Sequence, residues 1–144
     1  MTESLAQVAG VVLLRDDGAA LLQHRDNKPG LPHADMWVPP GGHCTPDESI
    51  EDCARREFHE ETGYRCDGLK LVAAFRVDHV PNSAPLWLTI FWARYDGDQR
   101  LVCGEGQALE FVGRDVASRY RIPEYLLEVW DRAVEAFQRE RRGA

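Results

Sequence analysis

The chain has no apolar run approaching the ~18 residues that a membrane-spanning helix needs. Its start, Met1-Thr2-Glu3-Ser4, also lacks the basic and apolar regions of a secretory signal. The expectation is therefore a cytosolic protein without a membrane partner. No low-complexity stretch, internal repeat or linker divides the 144 residues, so residues 1–144 read as one domain. At that size folding hides roughly 70% of the unfolded surface, enough for a core without staples. Net positive charge is missing too: the formal charge of −7 repels phosphate backbones over most of the surface and argues against general nucleic-acid binding. A small phosphorylated ligand needs only one cationic or metal-loaded cleft and is not excluded. The four cysteines (Cys44, Cys53, Cys66, Cys103) contain no C-x-x-C pair and are expected to be free thiols. The five histidines show no H-E-x-x-H or similar spacing, which argues against zinc. Any metal should bind oxygen.

What is present is an ordinary globular composition, 44% hydrophobic and 28% charged. Two apolar runs, Val8 to Leu14 and Ala19 to Arg25, flank Asp16-Asp17-Gly18, a strong hairpin signal. Asp26 to Gly42 holds four prolines and three glycines and is predicted to be an irregular loop, interrupted at Trp37-Val38, that borders a site. Thr45-Pro46-Asp47-Glu48 offers an N-cap, a first-turn proline and an acidic partner, so a helix is predicted from there to about Thr62, ended by Gly63. Two strands follow, Leu69 to Val80 and Leu86 to Tyr95, the second uniformly apolar and expected mid-sheet. After a turn at Asp96-Gly97-Asp98 and a strand at Leu109 to Val112, Pro123 opens an amphipathic helix with Tyr125, Leu126, Val129, Trp130, Ala133, Val134 and Phe137 inward. This order predicts an α+β or mixed α/β fold.

The chemistry concentrates in the first helix. Glu57, Glu60 and Glu61 stand at i, i+3 and i+4 and so share one helix face. At about 5.5 Å and an effective dielectric near 20, each pair of charges repels by roughly 3 kcal/mol. A hard divalent cation relieves that repulsion, and Mg²⁺ commonly bridges one or two carboxylates to substrate phosphates. Ile50, Ala54 and Phe58 form an apolar stripe beside the carboxylates, while Asp52, Arg55 and His59 lie on the far side. The acidic cluster is thus expected at the edge of the core. A merely solvated acidic face is the bland alternative.

From Gly42 to Tyr64 the sequence G-HCTPD-E-SIEDCAR-R-E-F-H-E-E-T-G-Y resembles the Nudix box, G-x5-E-x7-R-E-U-x-E-E-x-G-U, where U is bulky and apolar. Gly42, Glu48, Arg56, Glu57, Phe58, Glu60, Glu61, Gly63 and Tyr64 fill its defined positions, Tyr64 standing where an aliphatic residue is more usual. The resemblance implies a single Nudix hydrolase domain with an α/β/α sandwich around a mixed sheet. It further implies a Mg²⁺-dependent enzyme, with Mn²⁺ as a substitute, that splits the diphosphate linkage of a nucleoside diphosphate carrying a further group. On this resemblance Gly41 offers a carbonyl to metal, Glu57, Glu60 and Glu61 hold the metals, Arg56 orients a glutamate, and Glu48 is mainly structural.

Cys103-Gly104-Glu105-Gly106-Gln107 resembles the acidic loop of MutT-type members, which makes Glu105 a further metal ligand or general base; a plain loop glutamate is the alternative. The proton acceptor is left open among Glu57, Glu61 and Glu105. Arg25 stands where relatives place a phosphate-binding arginine, against a surface salt bridge. Trp37 and Trp87 are candidates for stacking on a base, against core packing. Gly42 is assigned to the substrate side of the box. The leading substrate is a nucleoside triphosphate, cleaved to monophosphate and pyrophosphate. Ile122-Pro123-Glu124-Tyr125 lacks the asparagine of oxidised-guanine sanitising members, which counts against 8-oxoguanine. ADP-ribose or a nucleotide sugar is the alternative, hinted at by Pro81, as is a non-catalytic nucleotide-sensing domain. A homodimer is also compatible with the resemblance.

Overall fold

The computed structural model describes residues 5–143. The expected hairpin is present as β1 (Ala6–Leu14) and β2 (Ala20–His24), antiparallel around a turn in which Gly18 takes φ 86°. β3 (Trp37–Val38) pairs with β2, and β4 (Gly41–His43) pairs antiparallel with the start of β1. The segment predicted as loop up to Gly42 therefore ends in a short strand. That pairing requires glycine: a β-carbon on Gly41 would meet the Ala9 carbonyl oxygen at 2.3 Å.

α1 spans Ile50–Thr62 and begins later than the sequence suggests. Ser49 is the N-cap, its Oγ accepting from the Asp52 N–H, and Thr45 to Glu48 form a preceding turn. Glu48 does reach back to the Thr45 N–H, at 3.0 Å, which is half of a capping box built on a turn instead of a helix. The other end is as expected: Gly63 takes φ 74° and its N–H donates to the His59 carbonyl.

β5 (Lys70–Val77), β6 (Leu86–Arg94), β7 (Ala108–Val112), a 3₁₀ turn (Arg114–Arg119) and α2 (Glu124–Gly143) complete the chain. The strand order is β3-β2-β1-β6-β5, with β4 beside β1 and β7 beside β2. β1 and β6 run parallel over nine paired positions, from Ala6↔Leu86 to Leu14↔Arg94, and the other pairings are antiparallel. The sheet is mixed and open, with β6 interior as its apolar run predicts.

Side-chain alternation along β1 and β6 divides the core in two. Val12, Leu14, Leu88, Ile90 and Trp92 join Leu126, Val129, Trp130, Ala133 and Phe137 of α2. Ala9, Val11, Leu13, Phe91 and Ala93 join Cys53, Ala54 and Phe58 of α1. A helix on each face of the sheet makes the α/β/α sandwich. Trp130 also donates its indole N–H to the Gly18 carbonyl, tying α2 to the hairpin turn. Tyr125 and Val134 are only partly buried at the edge of their helix face.

The expectation of four free thiols is corrected. Cys44 and Cys53 form a disulfide with a Cα–Cα distance of 5.3 Å, leaving Cys66 buried and Cys103 exposed as thiols. The chain after β4 doubles back over the first turn of α1, so residues nine apart in sequence meet.

Candidate active site

A cavity of about 440 Å³ opens where β1, β4, α1, the loop before β7 and the start of α2 approach one another. One wall is acidic and carries Glu57 and Glu61 from α1 and Glu105 from the loop. Gly41 and Gly42 also line it. The other wall is apolar, with Val8, Val38, Val77, Val80, Leu86, Leu88, Ile90 and Leu126. Arg25 lines the same space.

The acidic wall is assembled by backbone contacts. The last carbonyls of α1 have no partner within the helix. They are satisfied by the acidic loop, the Val102 N–H donating to the Thr62 carbonyl and the Gly104 N–H to the Glu61 carbonyl, both at 2.8 Å. A β-carbon on Gly104 would lie 2.4 Å from the Glu60 carbonyl oxygen, so the loop docks this closely only with glycine there. The buried Gln23 amide donates to the Glu105 carbonyl at 3.1 Å and fixes the loop from the β2 side. These contacts bring Glu105 to Glu61.

Glu61 is only 7% exposed, and its Oε2 is buried with no hydrogen-bond partner. Burial, then the neighbouring Glu105 charge, push its carboxyl well above the usual carboxylate range, against a hydrogen bond from Gln23. A buried, unpartnered carboxylate oxygen facing another carboxylate is the donor set that a hard cation satisfies. Gly42 gives a second sign of fit: the Glu57 carboxylate fills the place where a side chain of residue 42 would stand. Among the described residues, however, no three His, Cys, Asp or Glu side chains already converge into a metal-sized cluster.

Arg56 holds three of the nearby carboxylates. Its guanidinium holds Glu48 through two hydrogen bonds (3.0 and 2.7 Å), Glu57 at 2.9 Å, Glu60 at 3.2 Å, and the His43 carbonyl at 3.2 Å. Glu48 is thereby pulled down to about 2. Glu60, 54% exposed, is held at the Arg56 side and is not part of the cavity wall, in contrast to Glu57 and Glu61. The predicted trio is thus split into two cavity carboxylates and one outer one, with Glu105 supplying the third inside.

Arg25 donates its Nε to the Pro32 carbonyl at 2.9 Å. Trp37 is not among the residues that line the cavity. Its ring stacks on His24 at 4.5 Å and meets Tyr120 edge-on at 5.2 Å. Trp87 also lies outside the cavity wall. Gln23, His33 and Tyr125 line the cavity without having been singled out as site residues. Only Gln23 carried a signal, as the one polar side chain in the run Ala19-Ala20-Leu21-Leu22-Gln23.

A family model described as NUDIX domain matches residues 4–139. An RNA pyrophosphohydrolase of Pseudomonas putida is 33% identical over 100 residues, covering 69% of this chain and 50% of that protein. The chain thus spans about half the length of the curated relatives it matches. Among solved structures, a MutT protein from Methanosarcina mazei Go1 superposes with a TM-score of 0.74 at 21% identity, covering 98% of both chains. The NUDIX domain of Shewanella oneidensis NrtR, complexed with ADP ribose, gives 0.77 at 17% identity, covering 95% of this chain and 90% of that one. At these identities the structural likeness shows the fold.

Proposed function

Because this chain belongs to the Nudix hydrolase family, we propose that it cleaves a nucleoside triphosphate to the monophosphate and pyrophosphate, with Mg²⁺, or Mn²⁺ in its place, held at the acidic wall. The observation that carries this reading is the form of the cavity. Its volume of about 440 Å³ lies near the lower end of the ~300–1,000 Å³ typical of ligand sites and suits one nucleotide better than a two-nucleoside ligand. An acidic wall for metal-bound phosphates faces an apolar wall for a base.

In this reading Glu57, Glu61 and Glu105, with the Gly41 carbonyl, hold the metal, and Glu60 supports them from outside through Arg56. A bound divalent cation acidifies water and neutralises charge on the leaving phosphate. Arg25 binds the phosphate chain from the β2 side. Arg56 keeps the Glu57 carboxylate aimed into the cavity. A cavity carboxylate among Glu57, Glu61 and Glu105 takes the proton of the attacking water, a contribution of roughly 10² to 10⁴ in rate.

The Pro81 hint toward ADP-ribose loses support, since Pro81-Asn82 lie in a tight turn closed by the Ser83 N–H on the Val80 carbonyl, with Asn82 at φ 65°. The net charge of −7 weighs against RNA as substrate. The test is product analysis after incubation with Mg²⁺ and nucleoside triphosphates, ADP-ribose, dinucleoside polyphosphates or 5′-triphosphorylated RNA. Monophosphate and pyrophosphate from a nucleoside triphosphate are the expected products. Turnover confined to another member of the panel replaces the substrate assignment, and no turnover at all favours a sensor.

A further inference from the structure

His33 and Tyr125 take no part in the chemistry assigned above, yet both line the cavity on its apolar side. His33 Nε2 and Tyr125 Oη are 2.8 Å apart. Tyr125 enters from the first turn of α2, and its ring is fixed by edge-on contacts with Phe75 at 6.1 Å and His79 at 5.2 Å. His33 comes from the loop between β2 and β3 and sits at φ 54°, a left-handed conformation that residues with a β-carbon seldom adopt. Their neighbours Val77, Val80, Leu88 and Ile90 in the wall cannot hydrogen-bond. Ser83 turns its hydroxyl to the Ala84 carbonyl.

A nucleobase lying against that aliphatic wall brings a polar edge out of water, and an edge left unpaired there weakens binding. We propose that the His33–Tyr125 pair reads the base, the tyrosine oxygen hydrogen-bonding the polar edge of the nucleobase. This rests on the reading of the cavity as a nucleotide site. Burial, with the charges of Arg25 and His79 nearby, lowers the His33 pKa and keeps the imidazole neutral. A neutral imidazole has two tautomers. With Nε2 as acceptor, Tyr125 donates to it and its oxygen lone pairs are open to a base amino group. With Nε2–H as donor, the Tyr125 hydroxyl hydrogen is free for a base carbonyl. Exchange between the two needs no net uptake of protons, so the pair accepts 6-amino and 6-oxo purines alike.

Tyr125→Phe keeps the ring contacts and removes the hydroxyl. Two measurements test it: KM and kcat for ATP and GTP, and calorimetric titration of metal-free protein with AMP and GMP. One lost hydrogen bond should raise both KM values and both dissociation constants roughly fivefold, with the effect on KM and not on kcat. His33→Asn, tolerated at positive φ but too short to reach the phenol, leaves the hydroxyl without the partner that orients it and should raise the same constants by a smaller factor. Unchanged KM and Kd in both variants, failure of the unaltered protein to bind AMP and GMP, or a hundredfold preference between ATP and GTP overturns the proposal. Binding of AMP and GMP that both variants weaken, without hydrolysis of any nucleoside triphosphate, leaves the base reader standing and removes the proposed reaction. Hydrolysis that both variants leave unaltered does the reverse.

Discussion

Gly42 and the Glu57 carboxylate compete for one volume: a β-carbon on residue 42 would lie 2.2 Å from Glu57 Oε2 and 2.4 Å from its carboxyl carbon. The intruding atoms are the end of a flexible side chain, so Gly42→Ala should fold, with Glu57 turned away from its hydrogen bond to Arg56. Displacing a site carboxylate by about 1 Å costs roughly 10²-fold in rate. The expected result is a near-unchanged urea midpoint with kcat reduced by about that factor. Full activity in Gly42→Ala refutes the assignment of Glu57 to the site.

Glu48 and Arg56 set a pH dependence of stability. The Arg56 guanidinium, helped by the Thr45 N–H, holds the Glu48 carboxyl at about 2 against an ordinary 4.5. Between those values the folded protein binds fewer protons than the unfolded chain, so the stabilisation is complete above about pH 4.5 and is lost as pH falls toward 2. Arg56→Gln should flatten that part of the curve. Urea midpoints across this range check it, and parallel curves for the two proteins would count against the ion pair.

In the proposed function, Glu61 links metal binding to folding. Its buried, unpartnered oxygen predicts that Mn²⁺ or Mg²⁺ raises the melting temperature, as any ligand of the native state does. Glu61→Gln should remove most of that shift and lower hydrolysis by roughly 10² to 10⁴. A variant that keeps both the thermal shift and the rate would sink the assigned metal site.

The Cys44–Cys53 bridge predicts a sensitivity to reductant. Closing so short a loop restricts the unfolded chain by roughly 2–3 kcal/mol. Dithiothreitol should therefore lower the urea midpoint, and the double variant C44A/C53A should match the reduced protein and ignore the reagent. Identical midpoints in all three samples would show that the bond contributes nothing.

The parts of this molecule legible in the sequence are those set by periodicity over many residues. The apolar run Leu86 to Tyr95 became the interior strand β6, and the stripe Ile50, Ala54, Phe58 became the face that α1 turns to the sheet. The family motif likewise identified Gly42, Arg56, Glu57 and Glu61 as neighbours. What the sequence did not reveal depends on how distant segments lie together. Thr45 looks like an N-cap because Glu48 follows it, and Glu48 does accept from the Thr45 N–H while also holding Arg56, but Thr45 to Glu48 form a turn and the helix is capped by Ser49. The Cys44–Cys53 bond follows from the reversal after β4, which no cysteine spacing announces. Trp37 packs on His24 and Tyr120, while Tyr125, expected as an ordinary inward residue, lines the cavity beside His33. Glu60 shares a helix face with Glu61, yet one position of offset and an arginine partner turn it outward.

The parallel pairing of β1 with β6 has a consequence for synthesis. Residues 6–14 find their parallel partners at 86–94, and the Glu105 loop closes on α1 later still. An emerging chain can form the first hairpin early, but the acidic wall of the cavity has to wait until most of the polypeptide has left the ribosome. Such distant pairing favours slow, late assembly. Until then the β1 edge and the apolar faces of Val11 and Val12 stay unprotected, so the growing chain is most prone to aggregate shortly before its fold is complete.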